Sequence, residues 1–328
     1  MTRQSPRRLP AMSLAVASCL WCAVAGAQGF PSKPVIIVNQ QVAGGPTDVT
    51  MRLIGQKMSE GLRQPVLVES RPGGGGAVGA MYVMQAPPDG HTLFLANVAS
   101  HAVNKSMNSK LPYDPVKDFV PITLVWNYPS LLGIWSEHPA KTVADLIGMA
   151  RKSPNALSYA SQGFGSSGHL GGAMLAAAAG QPMVHVPYKG APEVIKDLLT
   201  GRVDIFIASY ASLGPLHRAG KVRILAAASE KRHYLLPDVP TMAELGHPEI
   251  SFDGWFGLVA PAKTPAAIAQ RLRDEAVRAV QHPDVAKNMA DQGIVPLTSA
   301  SPAEFAAFIV SEIPRLEKAV KLSGAKVE

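Results

Sequence analysis

Leu157-Ser158-Tyr159-Ala160 running into Gly163-Phe164-Gly165-Ser166-Ser167-Gly168 reads as an apolar strand, a glycine-rich loop and a helix start. The same order occurs at Val35-Ile36-Ile37-Val38 into Ala43-Gly44-Gly45-Pro46-Thr47-Asp48, and at Val66-Leu67-Val68-Glu69 into Arg71-Pro72-Gly73-Gly74-Gly75-Gly76. The first backbone N–H groups of a helix have no partner within it. Together with the helix dipole they attract anions without any charged side chain. Loops of this kind, repeated, predict a chain built to hold an anion.

Working outward, strand-like runs alternate with helical ones over most of the length, which predicts an α/β fold with largely parallel sheets. A first series ends at Thr92-Leu93-Phe94-Leu95-Ala96. After an irregular stretch through Pro112-Tyr113-Asp114-Pro115, a second opens at Ile122 to Trp126 and continues through Leu131 to Trp135, Val184 to Val186, Val203 to Ala208 and Ile224 to Ala227. Phe252 to Val259 reads as a strand again. Two helices close the chain, one capped at Thr264-Pro265 and one at Ser301-Pro302-Ala303-Glu304. No strand is left to found a third domain, so these helices are expected to return to the first. The expected organisation is domain 1 at 28–126 plus 253–328, with domain 2, 127–252, inserted.

Residues 1–27 have the parts of an export signal: Arg3, Arg7 and Arg8, an apolar run from Ala11 to Ala25, and Ala25-Gly26-Ala27 before Gln28. The run is too short and alanine-rich for a membrane span, which needs about 20 apolar residues. Val16-Ala17-Ser18-Cys19 offers a competing lipidation site, but the apolar run continues past Cys19, so a soluble periplasmic product is expected. Cys19 and Cys22 are the two cysteines, so the mature chain is expected to have no disulfide and no thiolate chemistry. Removing three arginines and no acid takes the formal charge from +7 to +4. With no basic block longer than Lys231-Arg232, nucleic acid is not an expected partner.

Two enzymatic readings compete. Gly163-Phe164-Gly165-Ser166-Ser167-Gly168 and Gly74-Gly75-Gly76-Ala77-Val78-Gly79 both fit the dinucleotide pattern G-x-G-x-x-G. About 20 residues past the first, however, Tyr188-Lys189 stands where an acid should grip a ribose. An exported hydrolase using a serine of the Ser161–Ser167 loop is the other, yet no serine sits in G-x-S-x-G, since Ser167 has Gly165 two places before it but His169 two places after, where the motif needs glycine. His91, His101, His185, His217, His233 and His247 lack metal-ligand spacing. No metal, cofactor or catalytic residue is therefore expected. Thr47, Ser100, Ser161, Ser166 and Ser167 cluster at the glycine loops instead, adding donors without fixed charge. That combination suits a small carboxylate that is bound and released.

A set of ordered motifs carries a resemblance. They are Gly-Gly-x-Thr-Asp at Gly44, Gly45, Thr47 and Asp48; Glu69-Ser70-Arg71-Pro72-Gly73; Pro88-Asp89-Gly90; Leu111-Pro112-Tyr113-Asp114-Pro115; Val184-His185-Val186-Pro187-Tyr188-Lys189-Gly190; Leu236-Pro237-Asp238-Val239-Pro240-Thr241; and Trp255-Phe256-Gly257. From about Phe30 to its end the chain resembles the extracytoplasmic solute receptors of tripartite tricarboxylate transporters, often called Bug proteins. The resemblance implies a two-domain, flytrap-like periplasmic-binding-protein fold, with a carboxylate held between the domains and delivered by a monomeric receptor to membrane permease subunits. Carried onto this sequence, it places Gly44, Gly45, Thr47 and Asp48 on one wall, where Ser100 and, from a stretch that departs from the family, Gln41 are also expected. Ser161, Gly165, Ser166 and Ser167 stand on the other, with Tyr188 and Ser209 nearby; Asp48 is expected to cap its helix more than to meet an anion. Two departures bear on the ligand. Gln40-Gln41-Val42-Ala43 replaces a usual proline-rich stretch, and Ala208-Ser209 replaces a common Asp-Asn pair that could hold a ligand amine. A carboxylate without an α-amino group is expected.

Overall fold

A computed structural model describes residues 29–108, 110–251 and 253–323. The expected signal segment, the alternative site at Cys19 and the first residue of the expected strand at Phe252 lie outside the described residues.

The first strand series is β1 (Val35–Asn39), α1 (Pro46–Leu62), β2 (Val66–Ser70), α2 (Ala77–Met84) and β3 (Thr92–Asn97), then a short π-helical turn, Ala99–Val103, and α3 (Asn104–Met107). β1 pairs in parallel with β2 and β3. Next comes β4 (Phe119–Trp135), a single 17-residue strand where the sequence pattern suggests two. The second series follows: α4 (Val143–Lys152), β5 (Ser158–Ser161), α5 (Ser167–Ala179), β6 (Val184–Pro187), α6 (Ala191–Leu199), β7 (Ile205–Ser209), α7 (Tyr210–Arg218) and β8 (Val222–Ala227). β5 is parallel to β6 and β7. The chain ends with β9 (Asp253–Pro261), α8 (Ala266–Val280), α9 (Pro283–Asp291), β10 (Val295–Pro296) and α10 (Pro302–Ser323).

β4 and β9 join the two series. Phe119 to Pro129 of β4 pair antiparallel with β9, while Ser130 to Ile134 pair antiparallel with β7, giving the order β2-β1-β3-β9-β4-β7-β5-β6. The expected parallel sheets therefore hold at the flanks and give way to antiparallel strands at the centre. Polar Asn127 and Ser130 with Pro129 interrupt the apolar pattern where β4 changes partner, and a proline there removes a ladder donor at the handover.

Three apolar clusters fill the interior. Met51, Ile54 and Met58 of α1 pack with Leu272 and Ala276 of α8 and Trp126 of β4. Val194, Phe206 and Leu213 form a second cluster around α6 and α7. The largest joins both halves: Phe94, Leu170, Met174, Phe305 and Leu316 share it. α8 thus returns to the first series as expected, whereas α10 packs on both. No helix of the described residues is long and apolar enough to cross a membrane. Because the strands of each series run in parallel, the loops leaving their C-terminal ends gather at one place, where ligands of open α/β sheets bind.

Candidate functional site

The loop from β1 enters α1 at Gly45, whose carbonyl accepts from the Val49 N–H at 3.1 Å. Gly44 has φ +79°, a conformation natural to glycine. Its N–H donates to Asp48 Oδ2 at 3.1 Å, and Arg52 Nε donates to the same oxygen at 2.8 Å. Burial pushes the Asp48 carboxyl up, but these hydrogen bonds and the Arg52 charge outweigh it and hold it below its ordinary value. Asp48 is thereby committed to its own loop.

Among the described residues, six helices begin without a side-chain cap: α2 at Gly76, α3 at Val103 and α8 at Pro265, and, grouped in space, α1 at Gly45, α6 at Gly190 and α7 at Ser209. The last three starts, α1, α6 and α7, line one narrow chamber whose interior volume is about 30 Å³. Gln41, Val42, Gly45, Pro46 and Thr47 form one side; Ala191, Pro192, Ser209, Ala211 and Ser212 the other; Trp126, Tyr128, Phe256 and Ile294 add an apolar wall. Helices α4 and α5, by contrast, carry their own caps. Thr142 and Asp145 cap α4 reciprocally, and the Ser166 hydroxyl accepts from the His169 N–H of α5. Three sets of uncapped helix N–H groups therefore converge where a ligand could meet them. No Asp, Glu, Lys, Arg or His lines this chamber, so nothing of fixed charge opposes or replaces the three helix dipoles.

A second, roomier chamber of about 380 Å³ is lined by Gln40, Gly73 to Gly76, Asn97 and Ala99, facing Gly163, Phe164, Ser166, Tyr188, Lys189 and Glu193. Gln41 and Gln162 belong to both chambers.

Of the remaining residues singled out from sequence, Ser166 and Tyr188 line the second chamber and the others lie behind these walls. Ser100 is 1 % exposed; its hydroxyl accepts from the Asn97 N–H and from Gln40 Nε2. Ser161 is fully buried, its hydroxyl 2.7 Å from His185 Nε2. The Gly165 N–H donates to His169 Nδ1 at 3.1 Å, and buried Ser167 hydrogen-bonds the Tyr128 phenol. Ser166 reaches the second chamber while its hydroxyl donates to the Gly163 carbonyl at 2.7 Å. Tyr188 also lines it; its phenol donates to Asp197 and is pushed up to about 12 by burial and that carboxylate. Beneath the Gly163–Gly165 loop, the rings of His169 and His185 stack at 4.2 Å. Burial lowers them to about 3 and about 4, with the neighbouring ring adding to the effect on His169. Both are uncharged at neutral pH.

Sequence reasoning missed Gln162, Ala191, Pro192, Ala211 and Ser212. Gly190-Ala191-Pro192 carries the signal that could have found the α6 start, a glycine and an early helical proline like Gly45-Pro46. Ser209-Tyr210 carries no glycine, so α7 left no such trace. Among the described residues, no group of three or more His, Cys, Asp or Glu is placed to hold a metal.

Residues 50–324 match the family model described as "Tripartite tricarboxylate transporter family receptor". The chain belongs to that family. It is 31% identical to the protein BugT of Bordetella pertussis over 323 residues, 98% of this chain and 99% of BugT. It is also similar to a solved R. palustris protein with adipate, at 33% identity and a TM-score of 0.85, over 91% of this chain and all of that one. MatC from Rhodopseudomonas palustris with bound malate is 32% identical with a TM-score of 0.84, over 89% of this chain and 100% of MatC. The receptor therefore has the two-domain α/β plan of periplasmic binding proteins, and its family is one of solute receptors rather than enzymes. The Ser161–His185 pair of this receptor, at nucleophile-to-base distance, lies outside both chambers, and His185 meets no carboxylate among the described residues.

Proposed function

We propose that this receptor captures a small carboxylate between two lobes in the periplasm and delivers it, as a monomer, to the membrane subunits of a tripartite tricarboxylate transporter. The observation that carries the reading is the convergence of three uncapped helix starts on a chamber without charged side chains. The adipate and malate held by its relatives fit the same chemistry.

The lobes are taken as 28–126 plus 253–328 and 127–252, hinged where β4 changes partner opposite Asp253. Gln41, Gly45 and Thr47 would meet the ligand from the first lobe, Ala191 and Ser209 from the second. Ser166 and Tyr188 would serve the second chamber. Gly44, Asp48, Ser100, Ser161, Gly165 and Ser167 shape the loops that present these groups. An α-ammonium group would find no counter-charge in the first chamber, which favours a carboxylate without one. Closure follows because only the closed form completes the hydrogen bonds, and excluding water strengthens them.

Titration calorimetry and thermal shift with malate, adipate, amino acids, NAD and a simple ester test this. A carboxylate at a hundredfold excess over its Kd should stabilise the fold by about 2.7 kcal/mol, with no ester turnover and no shift with NAD. The backbone at Gly45 is extended and a Cβ there has room, its nearest neighbour 3.6 Å away. Gly45→Leu should therefore fold and lose binding. Failure of every carboxylate to bind, or full binding by Gly45→Leu, would overturn the reading.

A further inference from the structure

Gly190 caps α6 with an extended backbone, φ −178° and ψ 171°, which any residue adopts. Its own loop does not demand glycine; the opposite wall of the cleft does. A Cβ at this buried position would lie 2.5 Å from Cγ2 of Val42, in the loop that enters α1. Carbon atoms in contact sit about 3.5–4.0 Å apart, and a β-branched side chain cannot swing aside easily. Val42 and Ala191, the residue after Gly190, both line the first chamber. The two sheet halves also approach where a Cβ at Gly75 would lie 2.5 Å from the Phe164 carbonyl oxygen, but there φ is +60° and the backbone itself favours glycine. Of these two contacts, only the one at Gly190 makes its demand through contact alone.

We propose that Gly190 is a positioning residue: its missing Cβ lets the Val42 loop seat against the start of α6, and this contact sets how closely the α1 and α6 N-termini approach around the ligand. The inference rests on the carboxylate-capture reading above. A methyl group at position 190 acts as a spacer between the halves. It lengthens and misaligns the hydrogen bonds from the α6 start, which weaken steeply with angle and distance. Trimming Val42 returns the space.

The test compares the native protein, Gly190→Ala, Val42→Ala and the double variant. Cys19→Ser and Cys22→Ser remove the two native cysteines, and nitroxide labels go on cysteines placed at exposed Glu60 of α1 and Lys152 of α4. The distance between labels, measured without ligand by electron–electron resonance, should lose its shortest component in Gly190→Ala and regain it in the double variant. Affinity for malate or adipate, whichever the native protein binds, should fall about tenfold or more in Gly190→Ala and return in the double variant to the level of Val42→Ala. An unchanged distance distribution in Gly190→Ala overturns the inference, whatever the carboxylates do. If the distances respond while the native protein binds neither acid, the positioning role stands and the carboxylate reading fails.

Discussion

His169 and His185 face each other beneath a loop that lines the second chamber, and the acceptor role of His169 Nδ1 toward the Gly165 N–H requires that nitrogen to be unprotonated. His101, fully buried among Phe94, Tyr113 and Phe119 with its Nε2 unpartnered, is likewise lowered by burial to about 3. In the unfolded chain such rings take up a proton near pH 6.5, before the folded protein can. Their contribution to stability is complete above that pH and drains as the pH falls toward 4 and 3. Melting temperature should thus be level between pH 8 and 7 and decline below 6.5. Calorimetry of His101→Phe should show a smaller loss between pH 7 and 5 than the native protein, whatever its stability at pH 8. At this scale the sequence disclosed which residues could donate, but not whom they serve. Thr47 reaches the chamber, whereas Ser100 and Ser161, chosen for the same small hydroxyl, spend it on Asn97, Gln40 and His185.

Helices α4 and α5 each contain a glycine whose surroundings decide its value. Gly148 of α4 is exposed and a Cβ there meets nothing within 4 Å, so Gly148→Ala should stabilise by about 0.5–1 kcal/mol in urea denaturation, through backbone entropy alone. Gly172 of α5 lies against the Tyr159 ring, which a Cβ would strike; Gly172→Ala should cost about 1–3 kcal/mol. Elements with strong end signals were legible. Ser301 accepts from the Glu304 N–H at 3.1 Å, as its capping pattern implies. β4 was not legible as one strand, because Asn127-Tyr128-Pro129-Ser130 reads locally as a break. Only pairing with β9 on one side and β7 on the other keeps it extended. The apolar stripe of α10 was equally plain, but a stripe does not say how many neighbours it will cover.

Across the molecule, the βα alternation announced the class of fold, while the antiparallel centre depends on long-range pairing that no local pattern encodes. Asp253 begins β9 at that centre, opposite Pro129. Burial, then the nearby Glu230, pushes its carboxyl up to about 6, against the pull of Arg315. The folded state therefore keeps a proton that the unfolded chain releases from about pH 4, so stability from this group falls as the pH rises toward 6 and stays reduced above it. Asp253→Asn should raise stability at pH 8 by up to about 3 kcal/mol and change it little at pH 4, as paired denaturation curves would show.

α10 also bears on dissection. Phe305, Ile309 and Leu316, more than a hundred residues further along the sequence, roof over Leu170 and Met174 of α5. A polypeptide of residues 127–252 made alone would leave that oily flank of α5 bare to water, and inclusion bodies are the expected product. Anyone wishing to graft this half elsewhere would have to carry the last helix along with it.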